Sequence, residues 1–252
     1  LTPKQSALFG VTEISIIFGY DHSNDRSMEI LKHFKETNDI DVSILINNNK
    51  RYKYRTHNLE YIRNLMIECV YKKYSHYTFF IMMDSDDVCS SSINIDVLKK
   101  HLTNTIWDCL TFNRVGYYDI WALQYDIFIH HFRCFSNYSW PIIYFVRDDI
   151  IKKLNSNTYV SVYSAFNGFG IYKLDKFKNI KYDGRSQFYF NNDKVQHMVD
   201  FFNDNIKKYR KKDIIHITNS KENCEHIGFH INAIQKNNAR IYITSDILFD
   251  DN

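Results

Sequence analysis

The chain has 252 residues, with 32 Lys and Arg against 29 Asp and Glu, for a formal net charge of +3. So small a surplus gives no field that would gather nucleic acid or an anionic membrane, and it leaves a small molecule or a neutral partner as the expected ligand class. With 44% hydrophobic and 16% aromatic residues the chain is built to bury a core, and its 7 Gly and 2 Pro exclude collagen-like and linker-like chains.

In chain order, 13–18 read as a buried strand running into Gly19-Tyr20-Asp21-His22. Ser23 or Asn24 is placed to cap a helix to about Thr37, with Met28, Ile30, Leu31 and Phe34 on its apolar face. Residues 41–46 form a second, β-branched strand, and 58–74 keep helical spacing through Leu59, Ile62, Leu65, Met66 and Val70. Residues 77–83 are a continuous apolar strand that stops at Asp84-Ser85-Asp86-Asp87. Strand–helix–strand–helix–strand predicts parallel strands with helices on both faces, and so places Asp21 and Asp84 on one rim of the sheet, where open α/β folds bind ligands. Farther on, helices are expected over 92–102, 125–135, 146–154, 193–210 and 225–235, and strands over 109–112, 159–163, 169–173, 214–217 and 240–244. No repeat or linker interrupts them, which favours one mixed α/β domain.

Several motifs are excluded. No Gly-Lys-Ser/Thr occurs, and Gly168-Phe169-Gly170 has Lys173 where a dinucleotide fold needs its third glycine. The 5 cysteines, at 69, 89, 109, 134 and 224, are odd in number and contain no C-x-x-C pair, so reduced thiols are expected rather than a disulfide framework. The longest apolar stretch, 140–146, is too short to span a bilayer, and a chain that opens on Leu1 leaves upstream targeting open.

The strongest positive signal is the acidic run at 84–87. Three carboxylates in four residues repel one another unless a cation neutralises them, and hard oxygen ligands suit Mg²⁺ or Mn²⁺ bridging to phosphate. A solvated acidic turn capping the next helix is the alternative. The spacing Asp84-Ser-Asp86 fits a phosphatase of the haloacid-dehalogenase kind, where the motif lies on the first strand. It also fits the Asp-x-Asp of a GT-A glycosyltransferase, which follows a nucleotide-binding α/β half, and its late position favours the second. Arg55, Arg63 and Asn64 offer groups for phosphate oxygens, or merely a surface helix with Glu60 paired to Arg63 or Asn64. Tyr117-Tyr118-Asp119-Ile120-Trp121 suits a sugar ring, or plain core packing. Asn167-Gly168 marks a turn that lets backbone approach a ligand, or a hairpin connection. Cys224-Glu225-His226 with His230 reads as a metal-completing histidine beside a basic carboxylate, as a Zn²⁺ site, or as core histidines.

Arg55…Arg63-Asn64, Asp84-x-Asp86-Asp87, Tyr118-Asp119-x-Trp121-Ala122-Leu123, Asn167-Gly168-Phe-Gly-Ile-Tyr172 and Cys224-Glu225-His226-x-x-Phe-His230 occur in that order. Their order and spacing resemble a GT-A glycosyltransferase of the kind found in giant viruses, and are similar to the fungal capsule-associated mannosyltransferases. The resemblance implies a single GT-A-like domain over 1–252, with a Rossmann-type nucleotide-sugar half at 13–115 and a mixed acceptor-side half at 116–245. It implies Mn²⁺ or Mg²⁺ on Asp84 and Asp86, completed by His226 with His230 as the competing assignment. It further implies base and ribose contacts at Tyr20 and Asp21, phosphate contacts at Arg55, Arg63 and Asn64, and a sugar pocket of Asp119, Trp121, Asn167 and Gly168. Asp87 and Glu225 are the implied catalytic acids, Glu225 being the base of an inverting reaction. The donor would be a nucleoside-diphosphate sugar, with UDP ahead of GDP, and the acceptor a hydroxyl of a glycan or glycoprotein. Neither nucleic acid nor a membrane span is expected, and the location would be cytoplasmic, in a host cell or with a virion. A phosphatase and a non-catalytic carbohydrate-binding virion protein are the competing functions.

Overall fold

The computed structural model describes residues 13–21, 23–48, 51–125, 140–185 and 222–249, together with Asp193, His197, Asp200 and Asp204. The helix expected over 125–135 lies outside these beyond its first residue, the strand over 214–217 lies outside entirely, and of the helix over 193–210 only those four positions are described, all helical. The chain divides into two compact units, Leu1–Ser75 and His76–Asn252.

In the first unit, β1 (Ser15–Tyr20) and β2 (Asp41–Ile46) pair in parallel, Ser15 opposite Asp41 and Tyr20 opposite Ile46. A parallel pair needs a crossover, which α1 (Ser27–Thr37) supplies. The N-cap of α1 is Arg26, without a side-chain cap, so neither Ser23 nor Asn24 caps the helix as expected; the N–H of Ser27 is taken by Asp25 Oδ1 at 2.8 Å. Phe34 of α1 meets Phe18 edge-on at 5.7 Å, whereas Ile30, expected on the same apolar face, is 62% exposed. Helix α2 (Arg55–Lys73) lies close against β1: a Cβ on Gly19 would stand 2.6 Å from Met66 Sδ and 2.8 Å from Ile62 Cγ1.

The second unit is built on five strands: β3 (Phe79–Met83), β4 (Cys109–Asn113), β5 (Tyr159–Val162), β6 (Phe169–Lys173) and β7 (Ile241–Ile247), in the order β3-β6-β4-β7-β5. Only β4 and β7 run parallel; the other pairings are antiparallel. The architecture is therefore mixed α/β, but the expected single run of parallel strands does not form. β1 and β2 make a sheet of their own, and β3 pairs antiparallel with β6, so Asp21 and Asp84 end strands of different sheets. Side-chain alternation explains the choice. Phe80 and Met82 turn inward at 8% and 5% exposure, and Phe80 stacks on its cross-strand partner Tyr172 at 4.7 Å, while Ile81 and Met83 face out at 47% and 45%. A run that reads as fully buried is thus a half-buried strand, at the edge of the sheet among the described residues.

Helices cover both faces of this sheet. On one side α5 (Glu225–Asn237) sets Phe229 and His230 over Tyr172 and Phe80. Gly170 makes that layer possible, since a Cβ there would stand 2.8 Å from Tyr172 Oη. On the other side α3 (Ile95–Leu102) brings His101 edge-on to Phe112 at 5.7 Å, and Phe169 packs between Phe112 and Phe249. His101 is fully buried, with Nε2 2.8 Å from Asp246 and Nδ1 2.8 Å from Tyr159 Oη. Helix α4 (Trp140–Ser156) packs against β5 and β7. At the start of β4, Asp108 is buried and receives Arg240 Nε at 2.9 Å, Arg240 Nη2 at 3.1 Å and Lys173 Nζ at 3.3 Å. Among the described residues no helix is long and apolar enough to cross a membrane.

Candidate functional site

The acidic run leaves the end of β3, and a single carbonyl fixes it. Gly168 O accepts the N–H of Asp84 at 2.9 Å and the thiol of Cys89 at 3.2 Å, so both ends of the loop close on one oxygen. Between them Asp86 caps a short 3₁₀ turn, Asp87–Cys89, accepting the N–H of Val88 at 3.2 Å. Asp86 and Asp87 are exposed and Asp84 half-buried.

Asn167 and Gly168 can serve as that anchor because both adopt left-handed backbone, at φ 57° and 86°. Gly168 must also lack a side chain: a Cβ would stand 2.7 Å from Val88 Cγ1, 3.0 Å from Tyr118 Oη and 3.2 Å from Cys89 Sγ. The turn is no hairpin connection, since β5 pairs with β7 while β6 pairs with β3 and β4. Asn167 ties the turn to the loop after β4. It donates its N–H to Asp119 Oδ2 at 3.2 Å, accepts the N–H of Asp119 at 3.3 Å, and sends Nδ2 to Phe112 O at 3.0 Å. Asp119 Oδ1 in turn receives the N–H of Ala122 at 3.2 Å.

Electrostatics bring the same groups together. Burial pushes the Asp119 carboxyl up to about 6, against two backbone hydrogen bonds that favour its charge, and the negative charges of Asp84 and Glu225 push in the same direction. Burial also raises the Tyr118 hydroxyl, reinforced by Asp119, Asp84 and Asp86. Tyr118 is nonetheless 43% exposed, whereas Tyr117 beside it is fully buried. Asp84, Asp86, Tyr118, Asp119, Asn167, Gly168 and Glu225 therefore belong to one neighbourhood at the carboxyl ends of β3 and β4.

Glu225 opens α5 and is 3% exposed; its Oε1 stands 3.8 Å from His226 Nε2. His226 is buried and stacks on Phe166 at 3.7 Å. His230 is a core residue, with Nδ1 3.0 Å from Ser164 Oγ and Nε2 3.1 Å from Tyr172 Oη. Trp121 is half-buried. Among the described residues, no three carboxylate, imidazole or thiol groups stand close enough to hold a metal ion by themselves. Cys224, His226 and His230 thus do not form the Zn²⁺ site their spacing allows. Two carboxylates of this kind can hold a divalent ion only where a phosphate ligand or water supplies its remaining oxygens, the usual habit of Mg²⁺.

The first unit carries the other residues singled out in the sequence. Tyr20 closes β1, and its Oη receives the N–H of Ser23 at 3.1 Å. Asp21 follows, bonded to Asn47 Nδ2 at 3.3 Å, with Arg51 Nε at 3.9 Å. Arg55 begins α2 and is exposed; Asn64 is half-buried, and Arg63 is buried at 6%, not presented to solvent as a phosphate contact on the helix surface would be. Asn58 organises the approach to α2, bonding Tyr52 N at 2.8 Å, Tyr52 O at 3.0 Å and Tyr54 O at 2.9 Å.

Sequence reasoning passed over Arg114 and Cys89. The signal for Arg114 was its place directly after β4, the position Asp84 holds after β3; Cys89 had none beyond its nearness to the acidic run. No protein-family model matches the chain, and no curated protein or solved structure matches it either.

Proposed function

We propose that this protein is a metal-dependent glycosyltransferase that moves a sugar from a nucleoside diphosphate to a hydroxyl of a glycan or glycoprotein. What carries the reading is the assembly, within residues 76–252, of the acidic strand end with the Tyr118-Asp119 loop, the Asn167-Gly168 turn and the start of α5.

In this reading Asp84 and Asp86 hold Mn²⁺ or Mg²⁺ on the donor diphosphate. Bound there, such an ion would supply positive charge to the phosphates. Tyr118 offers an exposed aromatic face and a hydroxyl at the edge of the carboxylate group, suited to a sugar ring. Asp119 and Asn167 keep loop and turn in register, so that the ring meets a fixed wall. Glu225 takes the acceptor's proton. It is buried at the first position of α5, and its charge is felt at Asp119. Asp87, exposed at the first position of the 3₁₀ turn, stands as an outer carboxylate.

The test is thermal stability with a panel of nucleoside diphosphates, each with and without Mn²⁺. One diphosphate at about 100 times its Kd adds about 2.7 kcal/mol, expected only with Mn²⁺ present and lost in Asp84→Asn and Asp86→Asn with their own stability kept. Absence of any nucleotide effect, with release of phosphate from an aryl phosphate instead, would replace the reading with a phosphatase.

A further inference from the structure

Behind the acidic loop lies a chain of contacts that the proposed reaction does not use. Arg114 follows β4 and is 7% exposed. Its guanidinium lies over the Phe249 ring at 4.3 Å, and Nη2 reaches Cys89 Sγ at 3.6 Å. That thiol donates to Gly168 O, the same oxygen that holds the N–H of Asp84. Phe249 is itself fixed to the far side of the loop: it bridges Ile93, and Leu248 O takes the N–H of Asn94 at 2.7 Å. Asn94 then caps α3 through Val97 N at 3.2 Å. The segment 84–94 is thus gripped at its start by Gly168, in its middle by Cys89 and at its end by Leu248 and Phe249, which follow β7.

The chemistry of each link fits this role. A cysteine donates to a carbonyl only as the thiol, and burial pushes Cys89 up to about 11, which keeps its proton in place at neutral pH. Sulfur is also a weak acceptor, and a guanidinium is the strongest donor that could be set against it. That guanidinium sits over Phe249 while one nitrogen of its rigid fork reaches the sulfur, a double contact that a lysine ammonium, a point charge on a flexible stem, does not match.

We propose that Arg114 is a positioning residue for the acidic loop: through Cys89 it keeps the loop closed on the Gly168 carbonyl, and so sets the affinity of Asp84 and Asp86 for a divalent cation. The affinity clause rests on the metal reading above; the clamp does not. Arg114 acts by geometry here, against the sign of its own field, since a positive charge near two carboxylates by itself weakens cation binding.

The experiment compares the full chain with Arg114→Met, Arg114→Lys, Cys89→Ala and the double variant Arg114→Met/Cys89→Ala. Two quantities are read: the Kd for Mn²⁺ by calorimetry, and, where Cys89 is present, its rate of alkylation by iodoacetamide, located by peptide mass. Expected are faster alkylation of Cys89 in Arg114→Lys, which keeps a positive charge favouring the thiolate while losing the clamp, and in Arg114→Met a Mn²⁺ affinity lower by about 10- to 100-fold, as for loss of a group that orients metal ligands. Cys89→Ala should show a similar affinity loss, Arg114→Lys should not restore it, and the double variant should be no weaker than either single change. Should Arg114→Met not fold, Cys89→Ala carries the affinity test alone. Tighter Mn²⁺ binding in Arg114→Met, restored by Arg114→Lys, would show a field effect and overturn the clamp; so would unchanged alkylation in Arg114→Lys. Lower melting temperature with unchanged Mn²⁺ affinity would reduce the chain of contacts to ordinary structure and overturn the affinity clause. A wild-type chain that ignores Mn²⁺ overturns the metal reading and that clause with it, while alkylation still decides the clamp.

Discussion

Asp108 and Asp119 bracket β4, one before its first residue and one in the loop beyond its last, and the two ends of the strand treat a carboxylate in opposite ways. Burial opposes charge at Asp108, yet bonds from Arg240, its backbone N–H and Lys173 outweigh that penalty and hold the carboxyl below its ordinary range. At Asp119 burial wins: two backbone hydrogen bonds do not offset it, neighbouring carboxylates add to it, and the group rises to about 6. One end of the sheet spends its charges on holding strands together. At the other, buried and half-buried carboxylates raise one another's affinity for protons, the kind of perturbation that gathers where ligands bind.

The largest expected effect breaks the settled end. Arg240→Met removes two guanidinium bonds from a buried carboxylate, at a cost of about 3 kcal/mol in chemical denaturation, with the acidic loop and its Mn²⁺ response unaltered. A cost below about 0.5 kcal/mol would mean that Lys173 and the backbone suffice, and the contrast would weaken. Gly168→Ala strikes the other end. A Cβ at φ 86° and 2.7 Å from Val88 is expected to cost about 2 kcal/mol and, unlike the first change, to lower turnover as well. Full activity in that variant would detach the Asn167-Gly168 turn from the site.

The third effect sharpens the comparison by its sign. A carboxyl at about 6 when folded and 3.8 by itself binds its proton more tightly in the folded chain. Its contribution is therefore most favourable below pH 3.8 and declines as pH rises through 6. Asp108 works the other way, its contribution being present above the ordinary carboxylate range and lost on acidification. Urea denaturation at pH 4 and pH 7 should show Asp119→Asn shifting the stability difference in favour of neutral pH by about 2 kcal/mol, whereas Asp108→Asn should move it the opposite way. Equal pH slopes in wild type and Asp119→Asn would remove Asp119 as the strained member of the pair.

Local pattern made much of this molecule legible. The strands at 41–46 and 169–173 and the start of the helix at Glu225 are legible to the residue, and 109–112 falls one residue short of β4, because β-branched runs and helical spacing are local properties. Strand partnership is not local. Nothing within Phe79–Met83 says that its partner is β6, and the preference emerges only when Phe80 and Tyr172 are seen to stack. The same divide runs through the site. Asp84 and Asp86 announced themselves by charge density, and Asn167-Gly168 by small size. Arg114 and Cys89 carry no such mark; what matters about them is that a backbone oxygen from another part of the chain lies within reach. His230 was legible as a candidate, but Ser164 and Tyr172 claim both its nitrogens.

The strand order has a consequence for synthesis. β3 lies at the sheet edge beside β6, so the uncharged segment Phe-Phe-Ile-Met-Met leaves the ribosome long before its partner strand exists. Such a segment is prone to pair with copies of itself while it waits. The four residues that follow it include three aspartates, whose mutual repulsion discourages that association. The acids that make the loop a candidate site also guard the nascent chain, and a variant that neutralises them is expected to lose yield on expression before any purified property is measured.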